Sequence, residues 1–245
     1  MPGRRGVVAV VPARAGSKRL PGKNVRVFGG RPLIEWSVRA AMASPVVDRI
    51  VVSTDDPRVT AAVTGLPVDV MPRPARLATD TASTDDVLRQ VDAELGGGTA
   101  GPELMVLLQP TSPLREKGQI EAGVQAMRAA PRADRLVEVT SQALFTGRVE
   151  DGWWQADFPE DTRTQDLPAV WYPTGRLFIY RAATAFGSVP PGDQRCLAQR
   201  APRERCTNID DEADLLWAAR VYRTFAADYD YLDATTDRTT RHQGS

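Results

Sequence analysis

The sequence predicts an α/β fold, a mainly parallel central sheet with helices on both faces. Two observations carry this. Short apolar runs rich in β-branched residues recur at Val7–Val11, Arg49–Ser53, Leu104–Leu108 and Leu136–Thr140. Between them lie segments whose apolar residues return every three or four positions, the spacing of a helix with one buried face. Strands alternating with helices in this way describe parallel units whose sheet is covered on both sides.

Each element has its own reason. Val7–Val11 is an unbroken run bounded by glycine and proline, which suits a strand buried on both faces. A Gly/Lys/Pro-rich loop follows from Pro12 to Gly30. Pro32 fits a first helical turn, and Leu33, Ile34, Trp36, Val38, Ala41 and Met42 continue at helical spacing, so 32–43 is a helix. Arg49–Ser53 repeats the strand pattern, Pro57–Val63 the helix, and Val68–Met71 is a short strand. Thr84-Asp85-Asp86 places acidic residues at the positive end of a helix that runs through Val87–Leu95 and stops at Gly96-Gly97-Gly98. Leu104–Leu108 is a strand, Glu116–Ala130 a helix and Leu136–Thr140 a strand. The pattern breaks over 141–175, where Trp153, Trp154, Phe158, Trp171 and Tyr172 crowd a segment without helical periodicity. Exposed, such aromatics mark a subunit interface. Arg176–Tyr180 is a further strand, and Asp210–Phe225 a helix with Leu215, Leu216, Ala219 and Tyr222 on one face. Past Asp228 the chain is polar, which predicts a loose tail over 229–245.

Composition narrows the chemistry. The 245 residues carry 31 Lys plus Arg against 31 Asp plus Glu. A neutral chain has no overall field for nucleic acid or anionic lipid, so any anionic ligand is held by a local cluster. Only Lys18, Lys23 and Lys117 are lysines, and two of these three lie in the first loop. The single histidine, His242, sits in the polar tail, which argues against a catalytic triad or a histidine metal site in the core. Cys196 and Cys206 are too few for a disulfide framework and read as reduced thiols of a cytoplasmic protein. No apolar run approaches the roughly 18 residues of a membrane span, and the first residues are too short an apolar stretch for a signal peptide.

Ligands of parallel α/β sheets bind at the carboxyl ends of the strands, which selects the loops at 12–30, 53–56, 71–84 and 109–115. The first reads Pro12-Ala13-Arg14-Ala15-Gly16-Ser17-Lys18-Arg19-Leu20-Pro21-Gly22-Lys23-Asn24. Its four cations and its small residues allow backbone N–H groups and fixed positive charge to approach phosphates. It is not a Walker A loop: five residues separate Gly16 from Gly22, and Asn24 follows the lysine. Asp55 and Asp56 end a strand, where carboxylates commonly cap the next helix. Asp80 reads as an organiser of its loop.

Taken together, Val10-Val11-Pro12-Ala13-Arg14-Ala15-Gly16-Ser17-Lys18 with Lys23-Asn24, Pro32-Leu33-Ile34, Val51-Val52-Ser53-Thr54-Asp55, Arg73-Pro74 with Leu77-Ala78-Thr79-Asp80, and Gln109-Pro110-Thr111-Ser112-Pro113-Leu114-Arg115 form ordered blocks. They resemble the cytidylyltransferases that activate acidic sugars, typified by CMP-sialic acid synthetases. The resemblance implies a Rossmann-like nucleotide-diphospho-sugar transferase fold with a small dimerisation arm. It also implies transfer of CMP from CTP to an acidic acceptor, with Mg²⁺ and with pyrophosphate as the other product. Arg14, Lys18 and Lys23 would then surround the triphosphate. Ala13, Ser17, Asn24, Arg73, Ala82 and Thr84 would complete the nucleotide pocket, and Gln109 would touch the acceptor. The organisation becomes a nucleotide-binding domain over 1–140 and 176–228, with 141–175 a dimerisation and acceptor-side insertion of a homodimer.

Two departures from that pattern bear on function. Asn208-Ile209-Asp210 resembles the family's Asp-Ile-Asp metal element with asparagine first, so Asp210 is the better metal ligand, Asn208 the weaker, and Asp210 or Asp211 competes as a helix cap. In the segment Thr164-Gln165-Asp166-Leu167-Pro168…Tyr172-Pro173-Thr174-Gly175, the family's two acceptor-gripping arginines are replaced by Thr164 and Tyr172. Arg163 or Arg176 are the candidates to stand in, with Tyr172 and Arg176 lining the acceptor site. The resemblance implies a sialic-acid-like or other ulosonic acid as acceptor, while these altered positions point away from a nine-carbon sugar acid. A small phosphonate is the alternative, and a silent CTP-binding protein the rival that Asn208 suggests.

Overall fold

A computed structural model describes residues 6–97 and 100–232, so His242 and the rest of 233–245 lie outside the described residues. Along the chain the strands are β1 (Val7–Ala13), β2 (Val27–Phe28), β3 (Arg31–Pro32), β4 (Arg49–Thr54), β5 (Asp69–Pro72), β6 (Leu104–Leu107), β7 (Arg135–Ala143), β8 (Gly147–Glu150), β9 (Trp153–Ala156), β10 (Ala169–Arg181) and β11 (Cys196–Arg200). The helices are α1 (Leu33–Ala43), α2 (Pro57–Ala62), α3 (Thr84–Glu94), α4 (Gln119–Ala129) and α5 (Glu212–Thr224).

Seven strands form one sheet in the order β11-β7-β10-β6-β1-β4-β5. β1 is an interior strand, parallel to β4 on one side (Val10 opposite Val51) and to β6 on the other (Val10 opposite Leu107). The chain therefore leaves β1 and β6 in opposite lateral directions at their carboxyl ends, which opens a crevice between the two following loops. β10 is antiparallel to both β6 and β7.

Side chains of β1 alternate between two cores. Val7, Ala9 and Val11 pack with α1 (Leu33, Ile34, Trp36), α4 (Val124, Met127) and α5 (Ala218, Val221). Val8 and Val10 pack on the other face with Leu88 and Val91 of α3. Each such side chain contributes about 1.5–3 kcal/mol by leaving water. Both faces are covered as expected, one of them mainly by a single helix. α3 starts one residue after its cap, Ser83, whose hydroxyl accepts from the Asp86 N–H at 3.1 Å.

Several sequence expectations change. Leu216 is 72% exposed, because α5 turns Ala218 and Val221 inward instead. The first residues of the tail expected over 229–245 are ordered: residues 226–232 form a 3-10 turn with Tyr229 and Leu232 buried, and the Tyr231 hydroxyl donates to the Arg115 carbonyl. The 141–175 segment is not a separate insertion along its whole length. β7 and β10 run past the sheet edge as a two-stranded ribbon, paired from Ala143 with Ala169 to Val139 with Pro173, and the β8–β9 hairpin hangs from its end. Val149, Trp153 (77% exposed), Trp154 and Trp171 lie open on this arm. Among the described residues no helix is long and apolar enough to cross a membrane.

Candidate active site

The loop after β1 is held in place before any ligand arrives. The Thr54 hydroxyl donates to the Ala13 carbonyl at 2.6 Å, and the Asp55 carboxylate accepts from the Ala15 N–H at 2.9 Å. Gly22, at φ 66, turns the chain into a 3-10 turn over Lys23–Val25. The turn brings back Asn24, whose amide donates to the Arg14 carbonyl at 3.0 Å and ties the two ends of the loop together.

This fixing aims charge into a cavity of about 660 Å³ at the crevice between β1 and β6. Arg14, Lys18, Arg19, Lys23 and Arg73 line it against only two carboxylates, Asp80 and Asp210. Arg14 reaches Asp80 at 2.5 Å, and Lys18 pairs with the same carboxylate. Lys23 and Arg19 reach Asp210 at 2.9 and 3.1 Å. Hydrogen bonds from Lys18 and Arg14 hold the Asp80 carboxyl below the usual range. Burial pushes Asp210 up, but Lys23 and Arg19 outweigh it and the net shift is down. Both carboxylates are therefore ionised at neutral pH, and the lining keeps a surplus of positive charge on a chain whose total is zero. Arg73 is mostly buried and donates to the Ser53 carbonyl at 3.0 Å, so its charge sits at a fixed place on the wall.

Opposite the cations, the loop after β6 presents Gln109, Pro110 and Thr111. Arg115 fixes it from beneath: fully buried, it donates to the Gln109 carbonyl (2.9 Å), the Ser37 hydroxyl (2.9 Å) and the Arg176 carbonyl (2.7 Å). Burial, then the like charge of Arg176, lowers the Arg115 pKa. Gly175 meets this loop at φ 77, where a Cβ would stand 2.8 Å from the Ser112 hydroxyl and 3.2 Å from Gln109 Oε1. Gly175→Ala is expected to cost about 2–4 kcal/mol, from left-handed backbone strain plus the overlap with buried Ser112. Denaturant unfolding checks the stability loss.

A second cavity of about 610 Å³ adjoins the first across Asn208 and is lined by Gln142, Tyr172, Pro173, Thr174, Arg203, Glu204, Cys206, Thr207 and Trp217. Asn208 donates through Nδ2 to Asp210 at 3.1 Å and accepts through Oδ1 from the Ser112 hydroxyl at 3.4 Å.

The sequence-predicted residues sort clearly. Arg14, Ser17, Lys18, Lys23, Asn24, Arg73, Ala82, Thr84, Gln109, Asn208 and Asp210 come together on the wall of the first cavity. Ala13 does not: its side chain is buried in the core and its carbonyl serves Thr54. Tyr172 lines the second cavity only. Arg176 lines neither, being fully buried with Glu116, with Gln119 Oε1 at 2.6 Å and with Glu138 at 3.6 Å. Its side chain is held inside by Glu116, just before α4, and Glu138 on β7. Asp56 caps α2 and Asp211 caps α5 in a capping box with Asp214, which leaves Asp210 free to face the cavity. Asp80 ties its loop to Arg14 and Lys18 of the first loop and lines the cavity beside them. Arg19, one of the four cations of the first loop, joins them on the cavity wall although no individual role was expected for it. Arg203 and Trp217 were missed because nothing local joins them to the loops at the strand ends.

Among the described residues no group of three or more His, Cys, Asp or Glu is gathered as an all-protein metal cage would require. Asp210 offers one carboxylate, with the Asn208 amide turned to orient it. That donor set fits a magnesium ion, which commonly takes one or two carboxylates and completes its shell with water and phosphate oxygens.

The family model for cytidylyltransferases matches residues 8–151. An N-acylneuraminate cytidylyltransferase of Streptococcus agalactiae is 28% identical over 217 residues, covering 85% of this chain and 51% of that protein. A CMP-N,N'-diacetyllegionaminic acid synthase of Legionella pneumophila is 40% identical over 121 residues, 49% of this chain and 52% of that protein. The chain thus spans about half the length of these curated relatives. Among solved structures, a CMP:2-keto-3-deoxy-manno-octonic acid synthetase complexed with CTP superposes with a TM-score of 0.66 at 20% identity, over 89% of this chain and 99% of that one.

Proposed function

We propose, from the premise that this chain belongs to the cytidylyltransferase family, that it transfers CMP from CTP to an acidic sugar and releases pyrophosphate. The observation that carries the reading is the set of five cations around two carboxylates at the crevice of the sheet. In the reaction an acceptor hydroxyl oxygen attacks the α-phosphorus, losing its proton as the new P–O bond forms. The bond to the β-phosphate breaks, and pyrophosphate leaves with the electron pair. Negative charge grows on the leaving group, so fixed cations and in-line placement supply most of the acceleration.

Lys23 and Arg14 are the buried-side cations for the phosphates, and Lys18 and Arg19 close over them from the exposed side. Nucleotide phosphates compete with Asp80 and Asp210 for these same groups, so the carboxylates act as stand-in anions. Arg73, Ala82 and Thr84 border the region for the nucleoside, and Gln109 faces the acceptor. Mg²⁺ held by Asp210 would neutralise phosphate charge during the transfer. The second cavity is the acceptor compartment, because Asn208 borders both spaces. The exposed Trp153, Trp154 and Val149 of the arm are the contact with a second copy, where they lose water. Two free cysteines suit a reducing cytoplasm.

Incubation with CTP, Mg²⁺ and separately an N-acylneuraminate, an N,N'-diacetyllegionaminate, 3-deoxy-manno-octulosonate or a phosphonate tests this. Pyrophosphate release is expected with a sugar acid and is expected to stop on chelation. Release with the phosphonate alone would overturn the sugar assignment, and CTP binding without any release would support a silent nucleotide-binding protein.

A further inference from the structure

The geometry points to Arg203 as the residue that binds the acceptor's anionic group and so sets acceptor specificity, an inference that rests on the cytidylyltransferase reading. An acidic acceptor needs a cation beside the reacting centre. Both stand-ins suggested by sequence are committed elsewhere. Arg176 is fully buried between Glu116 and Glu138, and Arg163 closes on Asp166 at 2.7 Å in an exposed 3-10 turn. The neighbouring Arg205 pairs with Asp228 and lies 3.7 Å from the Phe225 ring centroid. Arg203 differs from all three. It is the one cation lining the second cavity, it is exposed, and among the described residues it has no carboxylate within ion-pair distance.

Position supports the same role. Arg203 opens the short 3-10 turn Arg203–Arg205, and the chain runs directly on through Cys206 and Thr207 to Asn208. A group held at Arg203 therefore lies in the compartment that meets the nucleotide cavity at Asn208. A guanidinium offers two parallel N–H donors to a carboxylate or phosphonate, a match a lysine cannot reproduce. The rest of the lining decides between these anions. Glu204 and Gln142 present acceptors suited to sugar hydroxyls, and Tyr172 and Trp217 present aromatic surface suited to the apolar face of a ring. Glu204 would repel the second charge of a phosphonate. The cavity, about 610 Å³, also has room for an eight- or nine-carbon sugar acid.

Steady-state kinetics of wild type, Arg203→Ala, Arg203→Lys and the control Arg163→Ala test the assignment, with the three sugar acids, their carboxyl methyl esters and a phosphonate. Arg203→Ala is expected to raise the acceptor KM roughly 30-fold, the size of a lost charge-assisted pair, with the KM for CTP unchanged. Arg203→Lys recovers only part of this, and Arg163→Ala behaves as wild type. Wild type should prefer the free acid to the ester, and Arg203→Ala should accept both equally. An unchanged acceptor KM in Arg203→Ala, with wild type turning over, overturns the role of Arg203 alone. Turnover by wild type with the phosphonate only overturns the carboxylate assignment. No consumption of CTP by wild type with any acceptor overturns the underlying reading instead.

Discussion

Replacing Lys23 with alanine is expected to lower kcat/KM for CTP by about two to three orders of magnitude, the usual cost of deleting a fixed charge that faces developing negative charge. Lys23 is suited to that cost because its side chain is only 14% exposed and its ammonium lies 2.9 Å from Asp210, at the junction of the cation cluster and the candidate metal ligand. Lys18, 79% exposed, is screened by solvent, so Lys18→Ala should lose about tenfold at most. The ordering of the two variants separates a designed phosphate site from a merely basic loop, in which both lysines would matter equally. Measuring kcat and KM for CTP in both, with thermal unfolding as the control for folding, checks it.

Arg176→Ala is expected to destabilise the chain by about 3–5 kcal/mol, because it leaves Glu138 and Glu116 without the cation that compensates them. Glu138 is almost fully buried and also accepts from Thr174 at 2.6 Å and from Gln119. Burial lowers the Arg176 pKa and the two glutamates outweigh it, so the arginine stays charged and the cluster balanced. Urea unfolding of Arg176→Ala should show the loss, and adding Glu138→Gln should recover part of it. A loss below about 1 kcal/mol would mean that water reaches the cluster. Because the Arg176 carbonyl accepts from Arg115, which in turn holds the Gln109 carbonyl, this buried charge also supports the floor of the active site.

Much of this was legible in the sequence. Val7–Val11 suits a strand buried on both faces, and a loop holding two of three lysines marks a local concentration of charge. The sheet, the crevice and most of the lining of the first cavity follow from those facts and the ordered motifs. What escaped was set by tertiary contact. Arg176 was a candidate for the acceptor because the resemblance needs arginines where Thr164 and Tyr172 stand, whereas Glu116 and Glu138, distant in sequence, take its charge. Arg203 carries no signal in the sequence, because the cavity it lines is formed only when β7, β10 and α5 come together. β11 was missed because its exposed Cys196, Ala198 and Arg200 alternate with half-buried residues at a sheet edge and produce no apolar run.

The most direct test of the account is a phosphorus NMR spectrum of the purified chain with CTP, Mg²⁺ and a sugar acid that it consumes in the acceptor screen. The account predicts that the three CTP resonances give way to a single phosphodiester signal from the CMP-linked sugar and to free pyrophosphate in equal amount. Appearance of CDP with a phosphorylated acceptor or with inorganic phosphate would place the attack on the γ-phosphorus and contradict it.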